Sequence, residues 1–454
     1  MDWKRYLNQE EKCGCGRIHG TRMEDVVIEK DALEQLPGWI FGRGFRRVLV
    51  VSDCNTNPVA GERTVALLKA AGLEVSGYVY PDKALVPDET ALGRLLIALP
   101  PKTELLVAVG TGTIGDLCRF AGYKIGVPFV TVATAPSMDG FSSNVAPLIT
   151  NHLKTTYEAR VPLAVFGDLE LLQKSPMPML AAGVGDILGK HICLLDWRLS
   201  HMVTEEYHCA EIEKMVEDSL HAVTQSAPFL PQRQPEAVRA VMDALVLSGV
   251  AISYAGNSRP ASGSEHHLSH YWEMQFLFEG KAPILHGTKV AIGTVAAVWM
   301  YQKLLSLPVD FKAARRRAEA FNHQEWEKQI QAAYGPAAES VLLLERETGK
   351  NAPEHVLHRL AYLESHWEEI CGLIRSRLPG LEDLIGMLRM LQAPWMPGQV
   401  GIREEQVADA VRFAKDLRNR YGLLQLVFDL GVQEEMIAGL SAFYRAEGER
   451  HAQR

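Results

Sequence analysis

Three side chains in the middle of the sequence are of the types that a divalent metal ion binds. Asp186 lies in GVGDILGKH, His266 in NSRPASGSEHHLSH and His286 in LHG. One carboxylate and two imidazoles suit Zn²⁺, Fe²⁺ or Ni²⁺ and leave coordination positions free for a substrate. The three are far apart in the chain, so each histidine on its own is equally explained as a hydrogen-bonded core or surface residue. Together they predict an open metal site, with Asp186 at the start of a helix behind two glycines.

Further polar residues surround this set. His270 follows His266 by one helical turn, so both lie on one helix face, whereas the side chain of His267 points about 100° away. Arg259 and Lys154 are the best candidates for binding a substrate phosphate, since guanidinium offers a planar fork and ammonium a point charge. Solvated surface cations are the alternative interpretation for these two residues.

A glycine-rich turn, GTGTIGD (110–116), lies where an apolar run gives way to a helical pattern. Gly110 and Gly112 allow a tight turn and a close approach of backbone to ligand, and the following helix N-terminus attracts a pyrophosphate. Asp53, at the end of an earlier apolar run, is placed to bind an adenosine ribose, which favours NAD over NADP. An ordinary strand–helix turn and an ordinary capping Asp are the alternatives.

The segment VTVATAPSMDGFSSN (130–144) is rich in small hydroxylated residues. Thr134, Ser137 and Ser143 are candidate donors to cofactor oxygens, and Asp139 is a candidate acceptor for a substrate hydroxyl. A polar loop without function is the alternative. We favour function because this segment follows the strand after the glycine-rich turn.

The elements that position these residues follow from hydrophobic periodicity. Apolar runs at 48–52, 74–80, 105–109 and 128–134 alternate with helical segments, which predicts a parallel sheet covered on both faces. A hairpin and a last strand, LAVFGD, complete this α/β domain at about 1–168. From 169 to 454 we find helical periodicity and no convincing strand. The expected architecture is therefore a Rossmann-like α/β domain, then an all-helical domain, with the active site in the cleft between them.

Two details of the helical part are also predicted. One continuous helix is expected where Val407, Val411, Ala414, Leu417 and Tyr421 recur at helical spacing, and a loop is expected at 393–401. A buried helix is also predicted for the nearly all-apolar segment before the His-rich one, VMDALVLSGVAISYAG.

Composition excludes several classes of protein. The 454 residues are 47% hydrophobic and 22% charged with a net charge of −8 and no dense Lys/Arg block, which argues against a nucleic-acid or anionic-membrane surface. The N-terminus lacks an apolar signal core, and no uncharged apolar stretch reaches the ~20 residues of a membrane span. Seven scattered cysteines favour a reducing, cytoplasmic compartment. KCGCGRIH (12–19) is short of the four ligands of a structural zinc site, so we favour a loose N-terminal segment, with a zinc knuckle as the alternative.

The motifs GTGTIGD, TAPSMDGFSSN, GVGD, SRPASGSEHHLSH and LHG occur in this order and at these separations in glycerol-1-phosphate dehydrogenases. The chain resembles that family, which belongs to the dehydroquinate synthase/iron-containing alcohol dehydrogenase superfamily, from about Asp25 to Gly293. The CGCGRIH opening and the helical tail resemble the bacterial branch.

The resemblance implies a reversible, NAD(P)- and metal-dependent interconversion of dihydroxyacetone phosphate and sn-glycerol 1-phosphate, as used in phospholipid metabolism. Asp186, His266 and His286 would bind the ion. We favour Zn²⁺ as this ion, with Ni²⁺ and Fe²⁺ as the alternatives. Asp139 and His270 would be catalytic residues that contact the substrate, as would Asp186. Arg259 and Lys154 are the candidates for binding the substrate phosphate. The cofactor would be contacted by Gly112, Thr113, Ile114, Gly115, Asp116, Thr134, Ala135, Pro136, Ser137 and Ser143. Homodimers or larger assemblies are usual in the superfamily.

Three other functions remain open from the sequence. A glycerol dehydrogenase on this scaffold would not need the phosphate cations, and a dehydroquinate synthase would produce no net change in NADH. A non-catalytic nucleotide- or metal-binding regulator would bind its ligands without turnover.

Overall fold

A computed structural model describes residues 1–150 and 153–452. The chain divides into two compact units, Met1–Ile187 with Ala210–Pro260, and Leu188–Cys209 with Ala261–Arg454. The sheet ends at Asp168, and the division of the chain into domains at residue 168 stays a prediction.

The strands and helices of the described residues follow one another in a βα pattern and then as helices alone. The strands are β1 (Gln9–Lys12), β2 (Ile18–Thr21), β3 (Asp25–Glu29), β4 (Arg47–Asp53), β5 (Glu74–Tyr80), β6 (Leu105–Gly110), β7 (Phe129–Ala133), β8 (Val145–Thr150), β9 (Leu153–Glu158) and β10 (Ala164–Asp168). The helices are α1 (Ala32–Gly42), α2 (Glu62–Ala70), α3 (Glu89–Ala98), α4 (Gly112–Ile125), α5 (Leu169–Gln173), α6 (Met177–Leu188), α7 (Lys190–Thr204), α8 (Ala210–Ser226), α9 (Pro235–Ala255), α10 (Ser264–Phe278), α11 (His286–Ser306), α12 (Phe311–Glu319), α13 (His323–Tyr334), α14 (Ala338–Thr348), α15 (Pro353–Arg377), α16 (Leu381–Met390), α17 (Glu404–Phe413), α18 (Leu423–Leu430) and α19 (Gln433–Ala452).

The first unit is built on a six-stranded sheet in the order β3-β10-β7-β6-β4-β5, in which all the pairings are parallel. Val48 and Val50 of β4 pack with α1 and α2 on one face, and Leu49 and Val51 pack with α3 and α4 on the other. Both faces are therefore buried, which explains why the central strands read as unbroken apolar runs. The predicted Rossmann-like sheet is confirmed.

The order of the strands places two candidate residues side by side. β4 lies between β5 and β6, so the chain reverses its direction across the sheet at this point. Asp53 ends β4 and Gly110 ends β6. The carboxyl ends of strands at such a switch point are where open α/β sheets bind ligands.

Two parts of the first unit were not predicted. β3 forms the edge of the sheet beside β10, although its five residues give little periodic signal. The prediction of a loose N-terminal segment is wrong, because β1 and β2 pair in an antiparallel hairpin that pairs Lys12 with Ile18. Its turn is closed by hydrogen bonds from Cys13 N–H to Arg17 C=O (2.9 Å) and from Gly16 N–H to Cys13 C=O (3.0 Å).

The hairpin predicted after Asn144 is present as β8 and β9, and within residues 153–452 no strand follows β10. The second unit is helical, so the predicted change from α/β to all-α structure is confirmed. Two stretches, Met177–Thr204 and Pro235–Ala255, are long and apolar enough to cross a membrane. Their apolar windows are 83% and 78% buried inside the protein, so the protein core accounts for their composition.

The continuous helix expected from Val407 to Tyr421 is wrong in its second half. α17 ends at Phe413, a 3-10 turn follows over Ala414–Leu417, and the backbone is extended at Arg418. The helix breaks because the buried pair Lys415 and Asp416 bonds to Asn351 (3.0 and 2.8 Å). These polar bonds outweigh the regular apolar spacing. The loop predicted at 393–401 is confirmed, with one 3-10 turn inside it.

Candidate metal and nucleotide site

The glycine-rich turn joins β6 to α4. Gly112 is the first residue of α4, and the side chain of Thr111 before it does not cap the helix. A Cβ atom on Gly110 would lie 2.9 Å from Cβ of Ile114, so the turn itself requires glycine there. A Cβ atom on Gly112 would only touch the side chain of Met138 at 3.5 Å. The first N–H groups of α4 are thus left available beside a glycine, as anion binding requires.

Asp116 and the loop after β7 are linked through one arginine. The buried Arg119 donates to the carboxylate of Asp116 at 2.5 Å, to the carbonyl of Gly140, and to that of Phe141 at 3.3 Å. Burial raises the pKa of Asp116 to about 6, against the lowering effects of Arg119 and Lys154. Arg119 therefore fixes the loop relative to α4, and Asp116 orients Arg119. Its contact with a cofactor stays a prediction, as do those of Thr113, Ile114 and Gly115.

The loop residues named from the sequence lie next to the turn. The N–H of Thr134 donates to the carbonyl of Gly110 at 3.3 Å, and Thr134, Ala135, Ser137 and Ser143 are all buried. The hydroxyl of Ser143 accepts the N–H of Val145 at 3.1 Å. The loop is thus packed and internally bonded, and contact of Thr134, Ala135, Pro136, Ser137 and Ser143 with a cofactor stays a prediction.

Asp53 is engaged in its own turn. One carboxylate oxygen accepts the N–H groups of Asn55 at 2.8 Å and Thr56 at 2.7 Å. This is the capping function that the sequence left open as the alternative. The ribose contact stays a prediction, with the second carboxylate oxygen as its candidate acceptor.

Asp186 is oriented from the loop after β7. Its carboxylate accepts the N–H of Asp139 at 3.0 Å, and the carboxylate of Asp139 accepts the hydroxyl of Ser248 at 2.9 Å. Asp186 is fully buried, and it lies near the end of α6, so its predicted position at the start of a helix is wrong. The two glycines before it are inside the helix. A Cβ atom on Gly183 would lie 2.0 Å from the carbonyl oxygen of Pro136, so glycine there permits the close approach of helix and loop.

Three histidines cluster in the second unit. His266 and His270 are one turn apart on α10, and His286 is the first residue of α11. The ring centroids of His266 and His286 are 5.3 Å apart, and that of His270 lies 6.0 Å from His266 and 5.7 Å from His286. The position of His266 after a Gly/Pro/Ser loop, four residues before His270, is confirmed.

A carboxylate that the sequence analysis missed sets the orientation of His266. Oε1 of Glu265, which is fully buried, lies 2.6 Å from Nδ1 of His266 and also accepts the N–H of Gly263 at 2.8 Å. A carboxylate accepts, so Nδ1 carries the proton and Nε2 is left as the ligand atom. The signal was present in the sequence, since Glu265 directly precedes His266.

The candidate ligand atoms are close together. One oxygen of Asp186 and one ring nitrogen each of His266 and His286 lie within 4.8 Å of one another. A second set, His270, Glu273 and His286, meets the same limit. The neighbouring His267 is buried and belongs to neither set, in agreement with its direction on the helix. The roles of all these residues stay predictions.

Glu273, Lys289 and Ser248 are further residues that sequence reasoning missed. Lys289, which is 1% exposed, lies 3.1 Å from Glu273, and Glu273 lies 3.5 Å from Nδ1 of His270. Glu273 follows His270 by three residues on one helix, which is a detectable spacing. Ser248 lies in an apolar helix far from Asp139 in the sequence, so no local pattern marks it.

The two candidate phosphate cations differ in burial. Arg259 is 1% exposed, and its N–H bonds Oδ1 of Asn257 at 2.9 Å, so the alternative of a solvated surface cation does not describe it. Lys154 on β9 is half-buried, and its charge acts on the carboxylate of Asp116. A phosphate contact stays a prediction for both.

Known proteins with similar sequences and folds identify the family and the fold of the chain. Residues 27–176 match the family described as iron-containing alcohol dehydrogenase. The chain is 38% identical over 314 residues to a glycerol-1-phosphate dehydrogenase (NAD(P)+) of Halalkalibacterium halodurans, covering 68% of this chain and 76% of the relative. It is 32% identical to that of Geobacillus stearothermophilus, covering 92% and 96%. A probable glycerol dehydrogenase from Sinorhizobium meliloti shares the fold at 16% identity, with a TM-score of 0.62 over 93% of this chain and 98% of that one. The chain belongs to the glycerol-1-phosphate dehydrogenase family of iron-containing alcohol dehydrogenases.

Proposed function

We propose that this protein is an NAD(P)-dependent sn-glycerol-1-phosphate dehydrogenase that reversibly interconverts dihydroxyacetone phosphate and sn-glycerol 1-phosphate. The observation that carries the proposal is the grouping of Asp186, His266 and His286 within 4.8 Å, with Asp186 bonded to a loop that itself bonds the glycine-rich turn. The names of the two bacterial relatives support this activity, and we propose that it serves phospholipid metabolism.

The ligand set fits a divalent ion. Two imidazoles and a carboxylate are donors that Zn²⁺, Ni²⁺ and Fe²⁺ accept, and we propose zinc first. The proton on Nδ1 of His266, fixed by Glu265, and the N–H of Asp139 on Asp186 hold two of the three ligands in orientation. When bound, the ion supplies a Lewis acid and the nicotinamide supplies a hydride acceptor or donor.

The chain's own residues would then position the triose and move the proton. Asp139, held by Ser248, would accept a hydrogen bond from a terminal hydroxyl of the substrate. His270 would carry the proton that the alcohol loses, and Glu273, itself paired with Lys289, would stabilise the imidazolium. Arg259, assisted by Lys154, would bind the phosphate, which makes unphosphorylated glycerol a poor substrate.

The cofactor would bind over the glycine-rich turn. The first N–H groups of α4 would face the pyrophosphate across Gly112, and Thr134 to Ser137 with Ser143 would line the neighbouring loop. The carboxylate of Asp53 would accept a bond from a ribose hydroxyl and repel a 2′-phosphate, so we propose a preference for NAD. We further propose a cytoplasmic homodimer. None of the seven cysteines, all of which lie in the described part of the chain, forms a disulfide, which suits a reducing compartment.

The test is a spectrophotometric assay on metal-depleted protein with dihydroxyacetone phosphate, NADH or NADPH, and added Zn²⁺, Ni²⁺ or Fe²⁺. We expect NADH oxidation that depends on an added ion, and sn-glycerol 1-phosphate in chiral analysis of the product. Equal turnover of dihydroxyacetone would point instead to a glycerol dehydrogenase. Cofactor binding without turnover of any triose would indicate a regulator, and full activity after verified depletion would exclude the metal's role.

A further inference from the structure

A second group of metal-type side chains lies on the N-terminal hairpin, which the proposed reaction does not use. Cys13 and Cys15 are on the turn between β1 and β2, and His19 is on β2. Each of these offers a ligand atom within 4.8 Å of the others, and so does Cys209, the residue before α8. We propose that Cys13, Cys15, His19 and Cys209 bind one structural Zn²⁺ ion.

The type and number of the donors point to zinc. Three thiolates and one imidazole form a common tetrahedral zinc set, and with all four positions filled by protein the site has none open for a substrate. Ligands at about 2.0–2.3 Å from a tetrahedral ion lie roughly 3.3–3.8 Å apart, which falls within the spacing observed here. None of these three cysteines forms a disulfide, so each sulfur can act as a thiolate ligand.

The geometry around His19 prepares it as a ligand. Its Nδ1 lies 2.8 Å from the carbonyl oxygen of Tyr254, and its ring stacks on that of Tyr254 at 5.9 Å and 10°. A carbonyl can only accept, so Nδ1 carries the proton, and the lone pair of Nε2 is directed to Sγ of Cys15 at 3.1 Å. Orientation of a histidine by a backbone carbonyl at its second nitrogen is the usual arrangement in metal sites.

The hairpin turn brings the two thiols together. Gly16 has a φ of +83°, which closes the turn and permits Cys13 and Cys15 to lie on one side. His19 is 4% exposed and Cys209 1% exposed, whereas the two turn cysteines are half-buried. The site thus has two buried ligands at its base and two on the outer turn.

An ion at this position would stabilise the N-terminal hairpin. β1 is almost entirely exposed, and a two-stranded hairpin alone is marginally stable in water. β2 packs on α9, which carries Tyr254, and the hydroxyl of Tyr254 donates to the carbonyl of Tyr6 at 2.9 Å. A zinc ion would tie this hairpin to the start of α8 as a cross-link, with its binding free energy added to that of folding.

The test is cobalt substitution in the full-length protein. Co²⁺ bound by three thiolates produces intense thiolate-to-metal charge-transfer absorption, which an Asp/His/His site does not produce. We expect this band in the wild-type protein and in Asp186→Ala, and its loss together with one zinc equivalent per chain in Cys13→Ser and Cys209→Ser. Cys54→Ser, at a half-buried cysteine outside the group, is the matched control and should keep both.

Substitutions of His19 provide a second test. One of them keeps four ligands, so its result does not depend on disruption of the fold. His19→Cys should retain the zinc equivalent and strengthen the charge-transfer band, whereas His19→Ala should bind zinc at least tenfold more weakly. An unchanged zinc content in all the cysteine variants, or a wild-type cobalt spectrum without the thiolate band, would overturn the proposal. A disulfide between these cysteines, found by mass spectrometry of protein purified under reducing conditions, would also overturn it.

Discussion

The carboxylate of Glu265 lies 2.6 Å from Nδ1 of His266, in a position with no solvent exposure. This pairing places the proton of His266 on Nδ1, makes Nε2 the candidate ligand atom and restrains rotation of the imidazole. Neighbouring residues on a helix usually point in different directions. Here the loop before α10 allows Glu265 to fold back, since its carboxylate also accepts the N–H of Gly263 at 2.8 Å.

Glu265→Gln should weaken binding of the active-site metal by about 10- to 100-fold, because a neutral amide orients the imidazole less strongly and lowers its basicity. The measurement is the concentration of added ion that restores half-maximal activity to metal-depleted enzyme. Glu345→Gln replaces another buried glutamate that bonds to Asn351, and it should leave this concentration unchanged. Equal effects of the two variants would show a general loss of stability rather than a role at His266.

Ser248→Ala should reduce kcat/KM for dihydroxyacetone phosphate by about 10- to 150-fold, since a hydrogen bond to a carboxylate contributes about 1.5–3 kcal/mol and its loss allows Asp139 to rotate. Steady-state kinetics at saturating NADH measure this effect. Ser219→Ala removes a buried hydroxyl that bonds only within α8 and serves as the control. Unaltered kinetics in Ser248→Ala would mean that Asp139 needs no positioning by this hydroxyl.

Gly112→Ala should raise KM for NADH by about tenfold while the protein still folds, because the added methyl only touches Met138 yet crowds the helix N-terminus where a pyrophosphate would lie. Cofactor titration by fluorescence, together with thermal unfolding, separates binding from stability. Gly93→Ala, on α3 with no atom within 4 Å of the new methyl, is the control. Normal affinity for NADH in Gly112→Ala would place the pyrophosphate elsewhere.

Arg259→Ala should lower kcat/KM for sn-glycerol 1-phosphate by about 30- to 1,000-fold, the equivalent of about 2–4 kcal/mol for a lost charge-assisted contact. Arg259→Lys should fall between this variant and wild type, because lysine keeps the charge but not the planar fork. Oxidation of unphosphorylated glycerol is the internal control. If both substrates suffer alike, Arg259 does not bind the phosphate.

His191 should make the stability of the protein depend on pH. Burial lowers the pKa of His191 to about 4 from the ordinary 6.5. Between these two pH values His191 is therefore protonated in the unfolded chain and neutral in the folded chain. Stability is therefore full above pH 6.5 and falls as the pH drops towards 4. Between pH 7 and pH 5 the wild type should lose on the order of 1–2 kcal/mol more than His191→Gln.

Urea unfolding at both pH values measures this difference. His323→Gln, which alters an exposed histidine, should behave as the wild type does. A His191→Gln variant that loses as much stability as the wild type on acidification would assign the acid sensitivity to other groups.

Much of the architecture follows from periodicity in the sequence. The runs at 48–52 and 105–109 are central strands in the structure, because strands buried on both faces must be apolar throughout. The run at 74–80 is the partly exposed edge strand β5. The absence of apolar runs of that kind after Asp168 predicted the helical part. The motifs around Asp186, His266 and His286 indicated the metal set and the family without knowledge of any distance.

Other features depend on contacts between residues far apart in the chain. Asp186 lies near the end of α6, where Gly183 allows the carbonyl of Pro136 to approach the helix, and the hydroxyl of Ser248 reaches Asp139 from an apolar helix. The second half of the expected helix after Val407 yields to the buried bonds of Lys415 and Asp416. Local periodicity reports which face of an element is apolar, and it carries no information about a polar partner supplied by another element.

The same limit applies to the N-terminal hairpin. Cys13, Cys15 and His19 are visible in the sequence as three ligands, one fewer than a structural zinc site requires. Only the folded chain places Cys209 within 4.8 Å of them and aims the carbonyl of Tyr254 at His19. The sequence by itself determined the residue types and the elements that carry them, whereas the tertiary structure decided which of those residues meet, since metal coordination depends on distance in space.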